Sequence, residues 1–124
     1  METKWHSGSV VHGRANGRKW QYPTINLADI HPVISIEAGV YAAKVKVAGK
    51  TLAAMLYCGN RPTLNLTEQV IELHLLDFQG DLYGQQVEFV VLDRVRGEQK
   101  FASVDELAAQ LRADELAIRR LLNL

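Results

Sequence analysis

The sequence predicts a mainly β domain, a closed antiparallel barrel or sandwich, followed by a helical segment at the C-terminus. From roughly residue 40 to residue 95 apolar and polar residues alternate with a period of two, interrupted by Gly-rich joints. Near Ser103 the pattern shifts to helical spacing. About six short strands in an open sheet would leave unpaired edges, and closure removes them.

Taken in order, Gly8 to His12 and Thr24 to Leu27 are short strand candidates. In Val40 to Val47, Tyr41, Ala43, Val45 and Val47 share one face, and Lys44 and Lys46 share the other. Ala48, Gly49 and Lys50 supply turn chemistry, and Thr51 to Tyr57 completes a hairpin. Gly59 to Pro62 ends that strand. Val70 to Leu76 is a third clear strand, with Ile71, Leu73 and Leu75 facing a core. Gln79 to Asp81 is a turn, and Gln86 to Val95 is a further apolar strand. Ser103 to Glu106 has the form of a capping box. Leu107, Leu111, Ile118 and Leu122 form a helical stripe, with Arg112, Arg119 and Arg120 largely off it. Asp114 offers a restart point after Ala113, so one unbroken rod is not assumed. The stripe predicts a lid on the barrel end.

The chain has 124 residues, 48% hydrophobic and 23% charged, which suits one soluble globular domain with a real core. Fourteen Lys and Arg balance 14 Asp and Glu. No global field therefore draws it to nucleic acid or an anionic membrane, and any phosphate site must be local. The single cysteine, Cys58, leaves no intramolecular disulfide and no cysteine-based zinc site, which suits the cytoplasm. The N-terminus lacks the apolar core of a signal peptide, and no apolar run approaches the ~20 residues of a membrane span.

Few residues offer chemistry. Gly8, Gly13 and Gly17, with Arg14 and Arg18, form a glycine-spaced basic stretch whose amides could face a phosphate. It has no Walker-type ending, and by spacing alone an ordinary loop with three glycines is the better reading. Thr24 and Asn26, two apart, leave an extended chain on the same face. They are either a strand-opening turn or a neutral oxygen pair for a metal whose charge the substrate balances. Glu72 shares its strand face with Val70, His74 and Leu76. It is either a surface residue or a general base for a hydroxyl attacking a phosphoryl group. His6, His12, His31 and His74 lack metal-ligand spacing. Arg96 lies where a ligand could be held between barrel and helix.

The order of these features resembles riboflavin kinases. The matching blocks are Gly8 to Gly13, Gly17-Arg18 and Tyr22 to Leu27, then Gly39 to Tyr41 and Gly59 to Thr63. Ile71 to Phe78, Gly80 to Gly84, Val95 to Phe101 and the terminal helix follow. The resemblance covers nearly the whole chain. It implies a six-stranded antiparallel Greek-key β-barrel over about residues 5–97, with a C-terminal α-helix over about 103–122, in a single domain 1–124.

It also implies transfer of the ATP γ-phosphoryl group to the ribityl 5′-hydroxyl of riboflavin, giving FMN and ADP. Glu72 is then the catalytic base, and Thr24 and Asn26 meet magnesium, with zinc or manganese as substitutes, and phosphate oxygens. Gly8, Val10, His12, Gly13, Gly17, Arg18 and Pro23 belong to the nucleotide side, and Arg96 and Phe101 to the flavin side. No nucleic acid or membrane partner is expected. The chain is expected to be a monomer, either free-standing or joined to an FMN adenylyltransferase domain in a longer protein. One departure is visible: the family usually has Leu-Gly-Phe before the proline, and this chain has Trp20-Gln21-Tyr22. It leaves open a non-catalytic flavin- or nucleotide-binding module on the same barrel.

Overall fold

The computed structural model describes residues 4–11, 24–62 and 67–124, with backbone only at 60–62, 67 and 68. Six strands and one helix follow one another: β1 (Trp5–Val11), β2 (Thr24–His31), β3 (Gly39–Val47), β4 (Lys50–Pro62), β5 (Thr67–Leu75), β6 (Gln86–Gly97) and α1 (Val104–Leu121). The strands close into a barrel in the order β1-β2-β5-β4-β3-β6, every neighbouring pair antiparallel. β3, β4 and β5 pair in succession and β6 returns beside β3, which is the Greek-key arrangement.

Alternation along each strand separates two apolar clusters. Tyr41, Ala43, Val45 and Val47 point inward and pack with Leu56, Leu73, Leu75 and Phe89 in the barrel interior. Val40 and Ala42 point outward and pack with Met55, Leu76 and the helix residues Leu111 and Ile118. The helix therefore lies along the outer wall formed by β3 and β4, not over the barrel end as the stripe suggested. The interior row packs within the barrel, whereas the outward apolar row needs a cover, and Leu111 and Ile118 of the helix supply it.

Local chemistry accounts for the joints. The β3–β4 hairpin closes at Val47 opposite Lys50, with positive φ at both Ala48 and Gly49. That is the two-residue turn whose twist matches the flanking strands. Gly39 opens β3 at φ 153°, and a Cβ there would run into the carbonyl oxygen of Arg96 on β6. A side chain at position 39 would push β3 off β6.

Three expectations are corrected. β1 starts at Trp5, ahead of Gly8, and β2 continues past Leu27 to His31. Gly59 to Pro62 does not end β4, because these residues keep pairing with β5, Gly59 with Val70 and Pro62 with Thr67. Pro62 falls at the strand terminus, where a missing N–H is tolerated. The helix is one unbroken rod across Ala113 and Asp114. Ser103 caps it by accepting from the Glu106 amide at 3.1 Å, and Glu106 reaches back to the Ala102 amide at 2.9 Å. Asp114 does not restart the helix, because it sits inside the buried stripe between Leu111 and Ile118 and is neutralised from the barrel.

Candidate active site

The outward face of the β2–β5 ladder brings the chemical candidates together. The register sets Asn26 opposite Glu72 and Thr24 opposite His74, while Ile25 opposite Leu73 belongs to the interior. Directly opposed residues project from the same face. Thr24, Asn26, Glu72 and His74 thus form a polar square. Thr24, Asn26 and Glu72 are half-buried, and His74 is only 5% exposed. The His74 ring nitrogen Nε2 lies 2.9 Å from Oε1 of Glu72.

The same row continues around the wall. Glu72 opposes Tyr57 on β4, Tyr57 opposes Val40 on β3, and Val40 opposes Arg96 on β6. The Tyr57 ring folds over Gly59, where a Cβ would collide with it. Its hydroxyl donates to Oε1 of Glu98 at 2.8 Å. Burial and this carboxylate push the Tyr57 hydroxyl up to about 12. Burial also pushes the Cys58 thiol up, so it stays protonated and unreactive.

Arg96 has a protein partner of its own. Its Nε meets both carboxylate oxygens of Asp114 at 3.0 Å, and Nη2 lies 2.9 Å from Oδ2. Asp114 is 2% exposed and also accepts from Gln110 at 2.9 Å. The Arg96 guanidinium also stands 5.6 Å from the Phe101 ring centre, within cation–π range. Arg96 and Phe101 are therefore adjacent at the seam between β6 and α1.

Gly8 and Val10 lie within β1. A Cβ on Gly8 would face Leu27 and Ile30, and the Val10 side chain is in the interior cluster. The Val10 amide donates to the Gln85 carbonyl at 2.9 Å, and its carbonyl accepts from Gly84 at 3.0 Å. Val11 ends β1 opposite Asn26, and the chain returns to β2 at Thr24. The segment between them thus leaves from and comes back to the polar square. His12, Gly13, Arg14, Gly17, Arg18, Trp20, Gln21 and Pro23 lie outside the described residues.

Three partners escaped the sequence reading. His74 lacks metal-ligand spacing, and its place two residues after Glu72 on the same strand face is the signal for its contact with that carboxylate. Asp114 stood at stripe spacing among leucines, which demanded a buried cation. The Tyr57–Glu98 bond had no local signal, because it joins residues 41 apart.

The donors available for a metal are hard oxygens from Thr24 and Asn26, with the Glu72 carboxylate beside them. Such a set suits magnesium or manganese more than a soft metal. Among the described residues no group of three His, Cys, Asp or Glu is placed to hold a metal ion. A cation here would complete its shell from substrate phosphates and water, and Thr24 and Asn26 fit that role.

Comparison with known proteins bears on the family and the fold. The bifunctional riboflavin kinase/FMN adenylyltransferase of Escherichia coli (strain K12) is 43% identical over 119 residues, 95% of this chain and 38% of that protein. The chain thus spans well under half the length of that relative. A Streptococcus pneumoniae structure described as a macrolide-efflux protein superposes with a TM-score of 0.87 at 38% identity, over 94% of this chain and 38% of that one. Riboflavin kinase from Trypanosoma brucei gives a TM-score of 0.66 at 22% identity, over 96% of this chain and 79% of that one, which speaks to the fold alone. Among the described residues no helix is long and apolar enough to cross a membrane. The Flavokinase family model, described as riboflavin kinase, matches residues 3–122, so with the barrel and the ordered sequence blocks in agreement, the chain belongs to the riboflavin kinase family.

Proposed function

We propose that this chain phosphorylates riboflavin, transferring the γ-phosphoryl group of ATP to the ribityl 5′-hydroxyl to give FMN and ADP. The observation that carries the reading is the direct opposition of Asn26 and Glu72, a neutral oxygen donor and a half-buried carboxylate, on one face of the β2–β5 ladder. Glu72 takes the proton of the 5′-hydroxyl as that oxygen bonds to the γ-phosphorus. The bond from phosphorus to the β–γ bridging oxygen breaks, and its electron pair leaves with ADP. Thr24 and Asn26 would hold the metal, with hard oxygens that suit magnesium, and orient the phosphate oxygens. A bound divalent cation would neutralise phosphate charge as the bond to ADP breaks.

Residues 12–23, anchored at both ends beside the square, are the segment for the nucleotide. His12, Gly13, Gly17, Arg18 and Pro23 are its candidates. Arg96 and Phe101, at the β6–α1 seam, bound the flavin side of the same face. The reading places the protein in the cytoplasm, where ATP is supplied.

Incubation with riboflavin, ATP and magnesium, with flavins separated by chromatography, tests the proposal. FMN accumulating over many turnovers is expected. Riboflavin bound but unconverted would replace the kinase with a flavin-binding module.

A further inference from the structure

We propose that His74 is a positioning residue for the reaction. Its Nε2–H holds Oε1 of Glu72, so that Oε2 is the oxygen presented to the riboflavin hydroxyl. The inference rests on the kinase reading above and deepens it.

A glutamate carboxylate rotates easily about its last bond, because that torsion has broad, shallow wells. A base must nevertheless sit within hydrogen-bond reach of its proton, with one oxygen correctly aimed. A donor on one oxygen fixes the other, which is how a third group orients a base in many sites. The Nε2 to Oε1 distance of 2.9 Å is that of a good hydrogen bond.

His74 is well built for this task. It is 5% exposed, whereas the Glu72 side chain is 26% exposed, so the imidazole is the fixed member and the carboxylate the accessible one. Two of its neighbours belong to the helix seam: Met55 lies opposite it on β4, and Leu76 lies two residues on. On its other side it opposes Thr24, one of the metal candidates. The ring therefore ties Glu72 to the packed wall under α1 and to the phosphate side of the square. With Nε2 committed to Glu72 and the ring buried, His74 acts through the carboxylate rather than on substrate.

His74→Phe keeps the ring volume and removes the donor, whereas His74→Gln returns an N–H at nearly the same reach. We expect kcat of His74→Phe to fall roughly 10- to 100-fold, with KM for riboflavin and ATP within about 2-fold of the wild type. His74→Gln should recover most of that loss. Wild-type kcat in His74→Phe, or equal losses in both variants, would overturn the inference.

Imidazole nitrogen NMR of the wild-type protein reads the same contact without turnover. A proton on His74 Nε2 is expected, and a bare Nε2 with the proton on Nδ1 would overturn the proposal even if the Phe variant does not fold. If the wild type itself formed no FMN, the kinase reading would fail, and the nitrogen spectrum would still decide whether His74 donates to Glu72.

Discussion

One row of cross-strand partners runs around the barrel wall, and its two ends solve opposite problems. At the β2–β5 end, Asn26 and Glu72 stand half-buried beside Thr24 and His74, a cluster of oxygen groups with one imidazole on Glu72. At the β6–α1 end, a buried Asp114 and a mostly covered Arg96, its side chain 17% exposed, cancel each other's charge. The difference is made by the helix. Where α1 covers the wall, a charge must find a protein partner, because an unpaired buried ion is costly. Where the helix stops short, polar groups can await a ligand. The comparison teaches that the first end should govern turnover, while the second, which also bounds the flavin side, should govern stability first.

Glu72→Gln should give the largest effect on turnover. We expect kcat to fall about 10²- to 10⁴-fold, with the melting temperature nearly unchanged. Near wild-type turnover would remove Glu72 as the base, and a large loss of stability would erase the distinction between the two ends.

Asp114→Ala should show the reverse pattern. It strands the Arg96 guanidinium in the seam, where breaking a buried pair costs about 3–5 kcal/mol. In a domain of this size that is a fall in Tm of roughly 10 °C or more. A double variant, Arg96→Met with Asp114→Leu, should regain much of the loss, since an apolar pair of similar volume avoids desolvating charge. An unchanged melting curve for Asp114→Ala would show that the seam does not depend on the pair.

The sequence made one end of this row easier to read than the other. The β3–β4 hairpin was plain, because half-buried strands alternate and the turn needs glycine at a positive φ. Glu72, Thr24 and Asn26 could be singled out by residue type and face. Their juxtaposition could not, since residues 26 and 72 meet only through the closing of the barrel. Asp114 shows the same limit more sharply. Locally an aspartate within a helical run reads as a break, because its side chain competes for backbone amides. Its partner Arg96 lies 18 residues away on another element, and that contact keeps the helix continuous. Residues 12–23, which carry most of the nucleotide candidates, lie outside what the structure describes, so their roles rest on the sequence.

Asn26→Ala or Thr24→Ala should act within the chemical end but more gently than Glu72→Gln. Each removes one neutral oxygen from a shell that substrate and water would largely complete. We expect the KM for magnesium–ATP to rise several-fold to about 10-fold, with the KM for riboflavin little changed. A selective rise in the riboflavin KM, measured by steady-state kinetics, would move both residues to the flavin side.

Tyr57 sits between the two ends, and its hydroxyl decides which it serves. The bond to Glu98 is of the kind that contributes about 0.5–1.5 kcal/mol, so Tyr57→Phe should lower stability by about that at neutral pH. The hydroxyl is pushed from 10.0 up to about 12 in the folded protein, because burial and the facing carboxylate disfavour the phenolate. The unfolded chain therefore gives up this proton first. The contribution of Tyr57 is fully present below pH 10 and is lost as pH rises through about 12. Phenolate absorbance should show a late-ionising tyrosine component that Tyr57→Phe reduces. The stability gap between the two proteins should narrow as pH climbs above 10. If the substitution instead left stability alone and raised the riboflavin KM, the Tyr57–Glu98 contact would belong to the ligand end, and the boundary between the two halves would shift toward β6.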